Sequence, residues 1–428
     1  MIHISKPRGI IITSLLALVG SAIGIGVYEG YSIWVFNNSG LAKSTATITI
    51  PDWSFGPSVP VFKKPGFYDS NGDILVNTDK HGYKINFTAS DPETPTSGSS
   101  VGISVAVCDW NSGSGGNNFT SITFPSYEAV EVDGKIVTYT VTAIGTGNRL
   151  LNFGDSMDIV IPETVTTIGA NAFGNDITGV SFSAENNIAT IGDNAFTGYQ
   201  GSSFAFGTNL KTIGTNAFAQ SNIKKIKFPD GSDIETIGDR AFYDMEFLTK
   251  VDFSNTTVGT IGVNAFSNSS FLKRIDFTGS NITTISSSAF CWNDGLSKVD
   301  FSNASIDTIG ADAFRGDGKL SEFDIDGLKI KSIGDSAFND TAISGTLDFR
   351  NTGLESIGSN AFFLQDNSSE LIIDIPNTVT SIGGLFVAGS SGKVTVNFYG
   401  ITKEEAQAKF TSGYDTTWGE NTTFNYGL

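Results

Sequence analysis

The chain has 428 residues, 39% of them apolar, with 26 lysines and arginines against 44 aspartates and glutamates, so its formal charge is -18. That length allows two or three domains with a buried core, and that charge repels phosphate backbones and anionic headgroups, which excludes nucleic acid as a partner. Thirty-three phenylalanines beside 3 methionines and 2 histidines mean that phenylalanine fills one recurring structural position.

In chain order, the first element is an apolar run from Ile10 to Tyr28 that carries no charge and follows Lys6 and Arg8. It reads as an export signal spanning 1–28, a membrane helix if retained and a signal peptide if cleaved; the lack of an A-x-A site before Tyr28 favours the anchor. Either way the positive-inside bias places the remainder outside the cytoplasm, at the cell surface or extracellular. Residues 29–47 read as a linker. Residues 48–120 read as a small all-β region, with strands expected at Thr47–Ile50, Asp73–Asn77 and Tyr83–Thr88 between turn clusters.

From there the phrase I-G-x-x-A-F recurs, beginning at Ile168, Ile191, Ile213, Ile237, Ile261, Ile285, Ile309, Ile333 and Ile357, at spacings of 23, 22 and then 24 throughout. A fixed period of this size is the signature of a solenoid, and the incomplete copies at Ile144 and Ile382 are the atypical ends expected of one. Alternating triplets precede the later phrases: Val251-Asp252-Phe253, Ile275-Asp276-Phe277, Val299-Asp300-Phe301, Phe323-Asp324-Ile325 and Leu347-Asp348-Phe349. Period two predicts strands, one per repeat, pairing in a parallel sheet with the aspartates outward. Within the phrase, the glycine is expected to permit a tight or φ-positive turn and the alanine a close approach of neighbouring coils. Phe173, Phe196, Phe218, Phe242, Phe266, Phe290, Phe314, Phe338 and Phe362 are expected to stack as an aromatic spine.

These phrases, with Ile161-Pro162-Glu163-Thr164-Val165-Thr166-Thr167-Ile168 and Ile375-Pro376-Asn377-Thr378-Val379-Thr380-Ser381-Ile382, resemble the BspA-type leucine-rich repeat family. The resemblance covers about 121–398 and implies a leucine-rich-repeat solenoid of about ten repeats. It also implies a surface protein of bacteria or mucosal protists, engaged in adhesion to a host protein or a neighbouring cell. After Phe398 the period ends, and Thr402 to Phe410 reads as a capped helix within a carboxy-terminal cap spanning 399–428. No Leu-Pro-x-Thr-Gly motif or second apolar span follows, so the amino terminus is the expected tether.

Chemistry is sparse. Gly98-Ser99-Ser100-Val101-Gly102 fits G-x-S-x-G only formally, in a Ser/Gly loop and with His81 the sole histidine beyond the apolar run, so no hydrolase is expected. Asp69 to Asp73 begins like a calcium loop but has Ile74 and Lys80 where glycine and glutamate are needed. Cys108 and Cys291 lack C-x-x-C spacing and are expected in the core. No cofactor or metal site is expected. The informative surface is two charged columns on the repeat strands: Lys250, Arg274, Lys298, Glu322 and Thr346, beside Asp252, Asp276, Asp300, Asp324 and Asp348. The first three rungs read as a self-compensating ion ladder. Beyond them Glu322, Asp324, Asp326 and Asp348 read as an uncompensated acidic patch for a cationic surface or a divalent ion, with Lys224, Lys225 and Lys227 at an opposite, basic end. The expected function is ligand binding or adhesion, the alternative a structural spacer.

Overall fold

The computed structural model describes residues 157–428 apart from 176, 365–369, 385, 389–392 and 412–420, and before them residues 142–145 and the backbone of eight strands between Ile23 and Ile144. Two compact units divide at Asn187 and Ile188.

In the first unit, most of the expected apolar helix, and the expected strand at Thr47–Ile50, lie outside the described residues. The last six residues of that apolar run, Ile23–Tyr28, form a strand paired antiparallel with Ser32–Asn37, which corrects the helix over this stretch. The sequence Ile-Gly-Ile-Gly-Val-Tyr explains it: two glycines each cost a helix about 1 kcal/mol, and the β-branched Ile23, Ile25 and Val27 that alternate with them favour an extended chain. No helix among the described residues is long and apolar enough to cross a membrane. Within the expected β region, Ile74–Thr78 pairs antiparallel with His81–Ala89, which pairs antiparallel with Ser100–Ala106. Repeat geometry begins where Thr167–Ile168 pairs in parallel with Ala143 and Ile144.

The second unit is a stack of coils. Thr190–Ile191, Thr212–Ile213, Asp233–Ile237, Thr257–Ile261, Asn281–Ile285, Ser305–Ile309, Lys329–Ile333, Ser356–Ile357 and Ser381–Ile382 pair successively in parallel, register fixed by isoleucine over isoleucine. Inside them Phe196, Phe218, Phe242, Phe266, Phe290, Phe314, Phe338 and Phe362 form the expected spine, with successive ring centroids 4.8–5.3 Å apart and interplanar angles of 4–13°. A second aromatic column, Phe228, Phe253, Phe277 and Phe301, stacks behind the charged strands. It stops at the next coil, where Ile325 replaces phenylalanine.

Each repeat turns on left-handed corners, and the phrase glycine is not one of them. The corner falls two residues later, on Asn194, Asn216, Arg240, Asn264, Ser288, Asp312, Ser336 and Asn360, with φ between 53° and 58°. The glycine instead allows coils to close up: a Cβ on Gly358 would meet the backbone nitrogen of Asp335 at 2.3 Å, and one on Gly262 the carbonyl carbon of Gly238 at 2.6 Å. A second corner runs through Gly198, Gln220, Asp244, Asn268, Trp292, Gly316 and Asp340, and a third through Gly231, Asn255, Gly279, Asn303 and Gly327. Asparagine, aspartate and glycine tolerate this backbone, which accounts for their abundance.

At the carboxy-terminal end, helix Lys403–Ala408 carries the predicted capping box, Glu405 N–H donating to the Thr402 hydroxyl at 3.2 Å and Thr402 N–H to the Glu405 carboxylate at 2.7 Å. Parallel pairing runs past the expected solenoid end: Gly345–Asp348, Leu371–Ile375, Val394–Phe398 and Thr422–Tyr426 form one sheet.

Candidate binding face

Five strands carry the charged columns: Lys225–Lys227, Lys250–Asp252, Arg274–Asp276, Lys298–Asp300 and Glu322–Asp324, paired in parallel. Period two sends Val251, Ile275 and Val299 into the core, each 0% exposed, and turns the flanking charges outward. Lys250 lies 2.8 Å from Asp252 and 3.7 Å from Asp276, and Arg274 lies 3.1 Å from Asp276 and 3.3 Å from Asp300. Each base therefore bridges its own coil to the next. A third column, two residues beyond the aspartates, completes the carboxylates: the hydroxyls of Ser254, Thr278 and Ser302 donate to Asp252, Asp276 and Asp300 at 2.6–2.8 Å. Burial pushes the Asp252 and Asp300 carboxyls up. Hydrogen bonds from Lys250 and Ser254 to Asp252, and from Ser302 to Asp300, outweigh that burial and hold both below the ordinary carboxylate range.

The ladder breaks at its fifth strand. Phe253, Phe277 and Phe301 each donate their backbone N–H to the aspartate carbonyl of the following coil at 2.8 Å, and Phe349 donates to Asp374 at 3.0 Å. Between these, no backbone hydrogen bond joins residues 322–327 to residues 345–351. The spine and the isoleucine ladder run through the same coils unbroken. A local exchange explains the opening. Earlier triplets place a branched aliphatic first and phenylalanine third, whereas here Phe323 stands first and Ile325 third. The larger ring sits edge-on to Phe301 at 5.4 Å and to Phe338 at 4.8 Å and is only half-buried. Left between the strand edges is a cleft of about 530 Å³ lined by Glu322, Phe323, Asp324, Asp326, Thr346 and Asp348, among others.

The acidic patch needs correcting in two places. Glu322 accepts from Lys298 at 3.2 Å, and Asp348 is clamped by Arg350, Nε to Oδ1 at 2.9 Å and Nη2 to Oδ2 at 2.6 Å. Arg350 holds the Asp348 carboxyl below its ordinary range. The sequence carried this signal: Arg350 stands two residues after Asp348, where the earlier coils carry Ser254, Thr278 and Ser302 two residues after their aspartates. Asp324 and Asp326 have no ion pair among the described residues, and only the Asp326 backbone N–H reaches the Asp324 carboxylate, at 3.0 Å. Both donor columns therefore fail in one coil, glutamate replacing the base and aspartate the hydroxyl. Among the described residues no three carboxylates converge to hold a metal ion.

At the other end Lys225 and Lys227 are exposed, and Lys227 lies 3.6 Å from Asp230. Sequence reasoning missed a set of exposed aromatics. Phe247 and Phe271 stand 44% and 58% exposed, and Trp292, 51% exposed, occupies a left-handed corner with Arg315 5.9 Å above its ring. Residue counting alone did not distinguish them from core phenylalanines. Cys291 is buried, as expected, while Cys108 lies outside the described residues.

A family model described as BspA type Leucine rich repeat region matches in 6 copies, over residues 152–273, 211–344 and 283–404. Three solved structures show the kind of likeness found. The pneumococcal vaccine antigen PcpA is 17% identical, with 83% of this chain and 98% of that one covered and a TM-score of 0.42. A leucine-rich repeat protein from Bacteroides ovatus is 20% identical, with 84% and 100% covered and a TM-score of 0.33. A leucine rich cell surface protein from Faecalibacterium prausnitzii is 17% identical, with 80% and 99% covered and a TM-score of 0.29. No curated protein matches the chain.

Proposed function

Because the chain belongs to the BspA-type leucine-rich repeat family, we propose that it is a cell-surface binding or adhesion protein whose charged strand face receives a host or neighbouring-cell protein. The observation that carries this reading is the break at Glu322–Asp324, where an ion-paired ladder opens into a cleft with two carboxylates, Asp324 and Asp326, that have no ion pair among the described residues. Evenly compensated rungs offer a partner little, since surface ion pairs are worth about 0–1 kcal/mol. An interrupted rung leaves charge and backbone groups free to be satisfied by something else. Surface placement draws on the family match and on the basic and apolar start of the sequence, Lys6 and Arg8 before the run that begins at Ile10. No step of this reading is catalytic.

The compensated rungs from Lys250 to Asp300 favour a second reading, an inert spacer. The two readings separate in one experiment: the purified chain is titrated onto mammalian and bacterial cells, beside a variant carrying Glu322→Gln, Asp324→Asn and Asp326→Asn. Saturable binding that the variant loses supports the binding protein. Binding absent from both supports the spacer, and saturable binding equal in both overturns the role given to Glu322, Asp324 and Asp326.

A further inference from the structure

We propose that the broken ladder is a docking cleft for an extended peptide segment of basic–apolar–basic pattern, which adds in parallel to the open edge of Glu322–Asp324. This deepens the binding reading above, on which it rests, by naming the segment that the ligand presents.

The argument begins with the backbone. A strand edge with nothing beside it exposes N–H and C=O groups that an extended chain can take up, the ordinary mode of strand addition. Most sheet edges face open solvent. This one faces a second open edge, that of Gly345–Asp348, whose other edge pairs with Leu371–Ile375, across a cleft of about 530 Å³. That size suits a short strand segment or a small ligand, and is too small for a whole coil of a second copy.

Register and charge then select the segment. All strands of the ladder run parallel, with Lys298 beside Glu322 and Asp300 beside Asp324. A strand added on the far side places its two outward side chains, two residues apart, beside Glu322 and Asp324. Its middle side chain turns inward against Phe323, which the break leaves half-buried. The outward basic group beside Asp324 supplies the cation that this carboxylate lacks among the described residues, while the one beside Glu322 shares a carboxylate that Lys298 already holds. The chain contains its own precedent: Lys225-Ile226-Lys227, basic–apolar–basic, pairs in parallel with Lys250–Asp252, Lys227 beside Asp252.

The test uses a fluorescent synthetic heptapeptide, Asn-Ile-Lys-Lys-Ile-Lys-Phe, which is the sequence of residues 222–228, and measures its binding to the full chain by anisotropy. Saturable binding is expected. Alternate N-methylation of the peptide backbone should weaken it by about tenfold or more, because it removes ladder donors while leaving every charge. The decisive variant is Phe323→Val with Ile325→Phe, which restores the order of the earlier triplets and is expected to close the cleft without altering any charge. It should lose the peptide by a similar factor while keeping the cooperative melt of the parent. Equal binding by the N-methylated peptide, or by the exchanged variant, overturns the proposal and reduces the site to unspecific charge attraction. Concentration-dependent self-association that vanishes in the exchanged variant also overturns it, by making a second copy the occupant. If the heptapeptide fails while cell binding still depends on Glu322, Asp324 and Asp326, this inference falls and the binding function stands.

Discussion

Asp317 shows how one atom can set a pH dependence. It belongs to a buried column with Asn293 and Thr341, in which Asn293 donates its amide to the Phe290 carbonyl and Thr341 its hydroxyl to the Phe338 carbonyl. Asp317 accepts from Asn293 N–H at 2.7 Å, but its Oδ2 has no hydrogen-bond partner among the described residues, and burial pushes the carboxyl well above the ordinary carboxylate range. A neutral acid has a proton to place there; a carboxylate does not. A raised folded value adds stability below the unfolded value that is lost as pH rises through the folded one. Asp317→Asn should therefore stabilise the chain at neutral pH, by about 1–3 kcal/mol in denaturant titrations, and remove the loss of stability with rising pH. No gain would mean that Oδ2 is satisfied in some other way. Asp252 and Asp300 act with the opposite sign: their depressed values contribute stability above the unfolded range that disappears as the solution is acidified. Glycines divide as sharply. Gly358→Ala puts a methyl 2.3 Å from backbone and should cost about 3 kcal/mol or more, whereas Gly231→Ala meets open space and costs only the left-handed penalty of about 1–2 kcal/mol. Equal melting temperatures for these two variants would contradict the close-approach role assigned to the phrase glycine.

At the scale of the element, the strict columns were legible and the exceptions only partly so. Phenylalanine every 24 residues announced the spine because a buried ring tolerates no substitute in its layer. Phe266→Ala should lower stability by about 3–5 kcal/mol by chemical denaturation, since the ring is fully buried between Phe242 and Phe290. The charged columns were legible as well, but the reading of their compensation was incomplete: Arg350 was overlooked beside Asp348, although it holds the position that Ser254, Thr278 and Ser302 hold in earlier coils. The exchange of Phe323 and Ile325 stands in plain view in the sequence. Its consequence does not, because whether a misplaced ring tilts, shifts its strand or opens a ladder depends on neighbours in two other coils, Phe301 and Phe338. Hydrogen exchange measures that consequence directly: the amides of Phe323 and Ile325 should exchange faster than those of Val299 and Phe301, and protection should return in the exchanged variant.

Across the whole molecule, each coil of the second unit touches chiefly its neighbours, so stability is a chain of nearest-neighbour terms. A defect such as Phe314→Ala should reduce amide protection most in its own and adjacent coils, with the effect fading along the stack; uniform loss from Ile191 to Ile382 would instead indicate one cooperative block. The charge of -18 adds a general preference for cationic partners whose binding weakens as salt rises. Translational sameness also carries a penalty for recognition. A face repeating one motif coil after coil offers a ligand several equivalent berths, and a partner can settle one step out of place with nearly the same energy. The displaced phenylalanine removes that degeneracy. It acts as an index mark on a ruler, giving a face made of interchangeable steps one position from which every other can be counted.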